Sequence, residues 1–182
     1  MSVEGIPKNK RSAILFLVTI GNSLEKILSV IGGTAIVVFV SAVLLDVSAR
    51  ILSHPISWCQ EIALFAYVWA IFMGSAIGIR HGTHFTIDLI INRLHGTVRR
   101  GIDLLVHLII LVFVGVLCFY GWQYALNTIH RLSQPSGIPM ICGTICIFVG
   151  AVCMVFFSIE YYVLFFCGTD IDTCLKSMKG GK

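Results

Sequence analysis

Four apolar stretches, Ile27–Leu45, Ile62–Ile79, Leu104–Leu126 and Ile138–Ile159, carry almost no charge and limit what this chain can fold into. A helix rises about 1.5 Å per residue, so roughly 20 apolar residues cross about 30 Å of hydrocarbon. The first, third and fourth stretches meet that length once ragged ends are allowed for, and the second comes close. The expectation is an all-α membrane protein with four transmembrane helices.

Basic residues set the orientation. Lys8, Lys10, Arg11 and Lys26 precede the first span, Arg80, Arg93, Arg99 and Arg100 lie between the second and third, and Lys176, Lys179 and Lys182 follow the fourth. The other two connections hold only Arg50 and Arg131. The positive-inside bias of short loops then places both termini and the middle loop in the cytoplasm (N-in/C-in). The net charge of +4 needs no nucleic-acid partner, because anionic phospholipid headgroups supply the counter-charge to these loops. Seven cysteines form an odd set without a CxxC pair. Cys118, Cys142, Cys146 and Cys153 fall within spans and read as small hydrophobes. Lys8, Lys10 and Arg11 before Ala13–Ile20 suggest a signal peptide, but the apolar run is short and Gly21-Asn22-Ser23 is a poor cleavage site. The segment reads as an interfacial lead-in.

The chain divides into an N-terminal segment (1–23), a four-helix transmembrane domain (24–166) and a cytoplasmic tail (167–182). Asp46 and Arg50 share a face one turn apart near the outer boundary. Arg50 and Glu61 flank one short outer loop and are expected to pair there. His54-Pro55 ends the first helix, Ser57 caps the second, and Trp58 sits at headgroup level. Ala66, Ala70, Gly74 and Gly78 form a small-residue strip suited to close helix contact, inside the bundle or with another subunit. Cys142, Cys146 and Gly150 make a looser version on the fourth helix. Ile87, Ile90, Ile91 and Leu94 predict a short amphipathic cytoplasmic helix, stopped by Gly96. Tyr120, Trp122 and Tyr124 form an outer aromatic girdle, Pro139 falls in the first turn of the fourth helix, and Glu160 marks that helix's inner end.

His81, His84 and Asp88 suggest a metal site but lack a fourth ligand. His107 suggests a haem anchor, but no second histidine lies within a span to face it; its plainer reading pairs it with Asp103 one turn earlier. A disulfide-forming quinone oxidoreductase would need cysteine pairs in the outer loops, which are missing. A proton-coupled exporter would place a carboxylate mid-span, yet Asp46, Glu61, Asp103 and Glu160 all fall near span ends. The chain therefore reads as a non-enzymatic accessory subunit without cofactor or metal, and a haem-binding redox anchor is the alternative.

One segment sharpens this. Ser57-Trp58-Cys59-Gln60-Glu61-Ile62, then Trp69, Gly74 and the run from Arg80 through Gly82 and His84 to Asp88, resembles the small membrane subunit of tripartite ATP-independent periplasmic (TRAP) transporters, the DctQ-like family. In that family a Trp and two glutamates open the second helix, and an Arg-x-Gly-x-His-hydrophobic-x-hydrophobic-Asp run follows it. Arg50 and the Pro-containing outer loop fit as well. Gln60 departs from the pattern, standing where the first glutamate is usual. The resemblance implies a multi-pass protein of the bacterial inner membrane, a scaffold beside a large membrane subunit that imports organic acids on a sodium gradient, fed by a periplasmic substrate-binding protein.

Overall fold

The computed structural model describes residues 8–54, 56–81, 97–133 and 136–167. Its helices are α1 (Lys8–Ile51), α2 (Ser57–His81), α3 (Thr97–Thr128) and α4 (Ile141–Cys167). Each contains an apolar stretch long enough to cross a membrane, as the sequence predicts. The expected amphipathic helix at Ile87–Leu94 and the tail after Cys167 lie outside the described residues.

The 44-residue α1 is about 65 Å long, twice the thickness of the hydrocarbon layer. Its inward edge is Ile14, Val18, Gly21, Glu25, Leu28, Gly32, Ala35, Phe39, Ala42, Asp46 and Ala49, all buried or half-buried. Steps of four and three residues keep one narrow seam facing a partner helix, as in a coiled coil. Five of the eleven are Gly or Ala, so backbones can approach closely in lipid. A Cβ added at Gly32 would lie 3.3 Å from Met73 of α2, and the Phe39 and Tyr67 rings meet at 5.3 Å. Because Ile14, Val18 and Gly21 extend the same seam, α1 runs unbroken across residue 23, where the sequence reading ended a separate lead-in. On its outward side, Thr34, Ser41 and Ser48 donate their hydroxyls to carbonyls four residues back, at 2.7–2.8 Å. Such bonds leave no hydroxyl unsatisfied on a surface facing lipid.

The end of α1 is closed by its own backbone. Ser53 takes a left-handed φ of 59°, with Ser53 N–H donating to Arg50 O (3.0 Å) and His54 N–H to Ala49 O (2.9 Å). This is a Schellman motif with serine where glycine is usual.

α4 is the interior helix, with α2 packed on one side and α3 on the other, while α1 packs chiefly on α2. The order in space is α1–α2–α4–α3, a row rather than a closed bundle. Phe65 and Phe72 of α2 lie over Gly143 and Gly150 of α4, the same seven residues apart on each helix. A Cβ at Gly150 would lie 2.8 Å from Phe72 Cβ. Gly121 of α3 meets Ile147, and the Thr128 and Thr144 hydroxyls bond at 2.7 Å. These contacts make α2 parallel to α4, and α1 and α3 antiparallel to their neighbours.

One expectation changes here. α4 starts at Ile141 rather than in the turn holding Pro139, because Pro139 bridges to Leu132 in a small closed loop. Ser133 N–H to Ile138 O (2.9 Å) and Met140 N–H to Arg131 O (3.0 Å) hold that loop, and Gly137 supplies its φ of 71°. In the small strip on α2, Gly74 is exposed and nothing stands within 4 Å of an added Cβ. Ala66, Ala70 and Gly78 are half-buried. The close approach within the molecule runs instead through the series on α4 that includes Cys146 and Gly150.

Gly150→Leu should therefore destabilise the purified protein by about 1–3 kcal/mol through overpacking against Phe72. Gly74→Leu should be neutral within about 0.5 kcal/mol, or slightly stabilising through helix propensity. Unfolding midpoints in detergent check the pair.

Candidate functional site

The only fully buried ionic groups among the described residues meet at the basic end of the molecule, where α2 finishes. Arg80 is 2% and Glu160 0% exposed. Arg80 Nε–H donates to Glu160 Oε2 (3.2 Å) and Nη2–H to Glu160 Oε1 (3.1 Å), a two-pronged fork onto one carboxylate. Nη1–H donates to Glu25 of α1, and Nη2–H reaches Val18 O at 3.4 Å. Glu25 Oε1 in turn bonds His81 Nε2 at 2.8 Å. The Phe157 ring lies 5.4 Å from the guanidinium carbon, adding a cation–π contact.

Each helix delivers its residue for a local reason. Glu25 occupies a seam position of α1, so it must face α2. Arg80 and His81 lie in the last turn of α2, where positive charge complements the helix dipole. Glu160 lies on the buried side of α4 with Phe157 and Leu164. Gly21 gives them room: a Cβ there would be 2.5 Å from Glu160 Oε2. The guanidinium is planar and permanently charged, so it can bind two carboxylates at once. The result is a charged clamp joining three helices, two of which otherwise touch little.

The clamp corrects the sequence reading of Glu160 as a marker of a helix end. The helix runs seven residues further, to Cys167, and the carboxylate points inward. The expected Arg50–Glu61 pair is not formed. Arg50 Nε–H reaches Asp46 Oδ2 at 3.0 Å, one turn back on its own helix. Glu61 accepts from the backbone N–H of Ser136 (3.2 Å) and from its hydroxyl, pinning the outer loop to α2. That loop folds over the first turns of α2 and reaches Glu61 before Arg50 can. Nearby, Trp69 Nε1–H donates to Cys142 O at 2.9 Å. Trp58 is half-exposed, as a headgroup-level residue should be. His107 stacks on Tyr161 with ring centroids 3.6 Å apart, and His81 is engaged with Glu25. Gly82, His84 and Asp88 lie outside the described residues.

Of the candidates read from sequence, the clamp contains only Arg80. Glu25 was legible as one of two carboxylates, with Asp46, on a small and apolar seam of period 3.5. Glu160 carried no local signal, because its partner is 80 residues away.

Comparison with known proteins agrees with this architecture. The family model described as tripartite ATP-independent periplasmic transporters, DctQ component, matches residues 39–168. The C4-dicarboxylate TRAP transporter small permease protein DctQ of Rhodobacter capsulatus is 33% identical over 83 residues, 46% of this chain and 37% of that protein. The sialic acid TRAP transporter small permease protein SiaQ of Vibrio cholerae is 26% identical over 110 residues, 60% of this chain and 64% of that protein. The chain thus spans less than two thirds of the length of these relatives. Arg80 and Glu160 fall inside the family match, and Glu25 falls before it.

Arg80→Met should destabilise the protein by about 3–5 kcal/mol, because it leaves the buried Glu160 carboxylate and the half-buried Glu25 without a cation between them. Gly21→Ala should also destabilise it by pressing on Glu160, although alanine favours the helix by about 1 kcal/mol. Thermal melts in detergent measure both, and unchanged midpoints would contradict the clamp.

Proposed function

The chain belongs to the DctQ family of TRAP transporter small membrane subunits, and from that premise we propose that it is a static scaffold for a large transport subunit. It is a multi-pass inner-membrane protein of a transporter family and not an enzyme. In the proposed system a periplasmic binding protein captures an organic acid, such as a carboxylate, and the large subunit carries it inward on a sodium gradient. The basic end, with the Arg80 clamp, faces the cytoplasm, and the loop pinned by Glu61 faces the periplasm.

One observation carries the scaffold reading. The buried charges, Arg80 and Glu160, are committed to each other and to Glu25, so among the described residues no embedded charge is free to bind a solute ion. Transport sites within membranes are built from uncommitted charges and broken helices. The four helices here run without a break across their apolar stretches. The haem-anchor alternative gains no support from the family match, and His107 is stacked against Tyr161.

The small strip on α2 is the proposed contact with the large subunit. Gly74 is open, flanked by Ala66, Ala70 and Gly78, a pattern that admits a foreign helix at close range. Arg50 and Trp58 lie exposed beyond its outer end.

Liposomes holding this chain alone should show no sodium-dependent uptake of organic acids, and uptake should appear once the large subunit and binding protein are added. Gly74→Leu should leave this chain folded while lowering recovery of the large subunit on co-purification. Uptake by the single chain would overturn the scaffold reading, and full recovery of the partner would remove the strip from the interface.

A further inference from the structure

The outer half of α3 carries two carboxamides one turn apart, Gln123 and Asn127, and neither makes a hydrogen bond among the described residues. Both are exposed, and with Tyr120 and Tyr124 they line a groove floored by Leu117 and Ile147. The groove holds no charged side chain.

Contacts between the helices fix the depth of Gln123. Gly121 meets Ile147 of α4, and Phe72 of α2 meets Gly150. Since α2 and α4 run parallel, Ile147 lies level with Trp69, and Gln123, two residues further along antiparallel α3, lies level with Tyr67. Trp58, at headgroup level, precedes Tyr67 by nine residues of α2, so Gln123 lies about 13 Å below it at about 1.5 Å per residue. The headgroup layer is only about 5–8 Å thick on each side. Gln123 is therefore inside the hydrocarbon, and Asn127, about 6 Å nearer the surface, is at its edge. Tyr120 and Tyr124 lie at a similar depth rather than in the outer girdle expected from sequence, because α3 stops at Thr128 and the loop beyond it carries the chain outward. Side chains on a helix tilt toward its N-terminus, which for α3 is the inner end, so Gln123 is directed away from the headgroups.

We propose that Gln123 is the hydrogen-bonding anchor for a transmembrane helix of the large subunit, which lies along this groove and presents a polar side chain to it. This anchor, which presupposes the scaffold role, extends the contact from α2 to α3. Two observations select that occupant. The first is chemical. Acyl chains neither donate nor accept hydrogen bonds, and water is excluded at this depth, so only protein can satisfy the carboxamide. Glutamine and asparagine bond across transmembrane helices for this reason. Because the groove holds no charge, the side chain opposite is a neutral one, such as serine, threonine, asparagine or glutamine. The second is position. Leu117 lines both this groove and the cleft between α2 and α3, whose other wall includes Gly78 of the small strip. The strip and the carboxamides thus border one continuous face of the helix row.

With both subunits co-expressed, benzoylphenylalanine in place of Tyr120 should crosslink to the large subunit far more than the same residue at Leu126, which is exposed outside the groove. Gln123→Leu should lower the large subunit recovered with this chain by about threefold to tenfold, the range of one interhelical hydrogen bond in lipid. Gln123→Asn, which keeps the carboxamide, should recover more of the partner than Gln123→Leu does. The isolated Gln123→Leu chain should melt in detergent no lower than wild type, since the carboxamide holds nothing within it. A lower melting point, a crosslink from position 120 to lipid or to a second copy, or undiminished recovery by Gln123→Leu would each overturn the anchor and leave the scaffold reading intact. A wild-type chain that recovers no large subunit would overturn both.

Discussion

Arg80 is held by two carboxylates from two other helices in a layer where water cannot solvate it. In such an environment a guanidinium without partners is costly, and so is each carboxylate. The three therefore stabilise one another only when α1, α2 and α4 are all in place. Hydrophobic burial cannot do this, since lipid is as apolar as the helix surfaces. The clamp supplies specificity: it fixes the axial register of α1 against α2 and of α2 against α4 at one depth.

The packing elsewhere follows from that register. With Glu25 opposite Arg80, the seam of α1 brings Gly32 to Met73 and Phe39 to Tyr67. With Glu160 at Arg80, α4 presents Gly143 and Gly150 to Phe65 and Phe72. A row of helices built this way buries one central helix and leaves the outer faces of α1 and α3 apolar and exposed. That suits a protein surrounded by lipid and a partner rather than one that encloses a pathway of its own.

The helix count and spans were legible because hydrocarbon thickness acts on composition alone. The ends were less so. Ile14 and Val18 belong to α1 through a tertiary seam, and Pro139 is drawn out of α4 by its bridge to Leu132. Local charge arithmetic misled at Arg50 and Glu61, where a nearer acid and a folded loop each offered a better partner. Ala66, Ala70, Gly74 and Gly78 predict a surface for close contact, and the close contact within the molecule lies at Gly143 and Gly150 of α4. Spacing reveals that a helix can be approached, not which helix approaches it. Glu160 was missed as a buried charge because distance in sequence hides its partner.

The clamp is tested most directly by the separation of α1 from α4 at the basic end. Spin labels at Ile20 and Ile159, both exposed, report that distance in nanodiscs by double electron–electron resonance. The account predicts a single narrow distribution in the otherwise unchanged protein, and a broad one extending to longer distances in Arg80→Met. The same narrow distribution in both would show that packing alone holds α1 in place, and would contradict the central role given to Arg80.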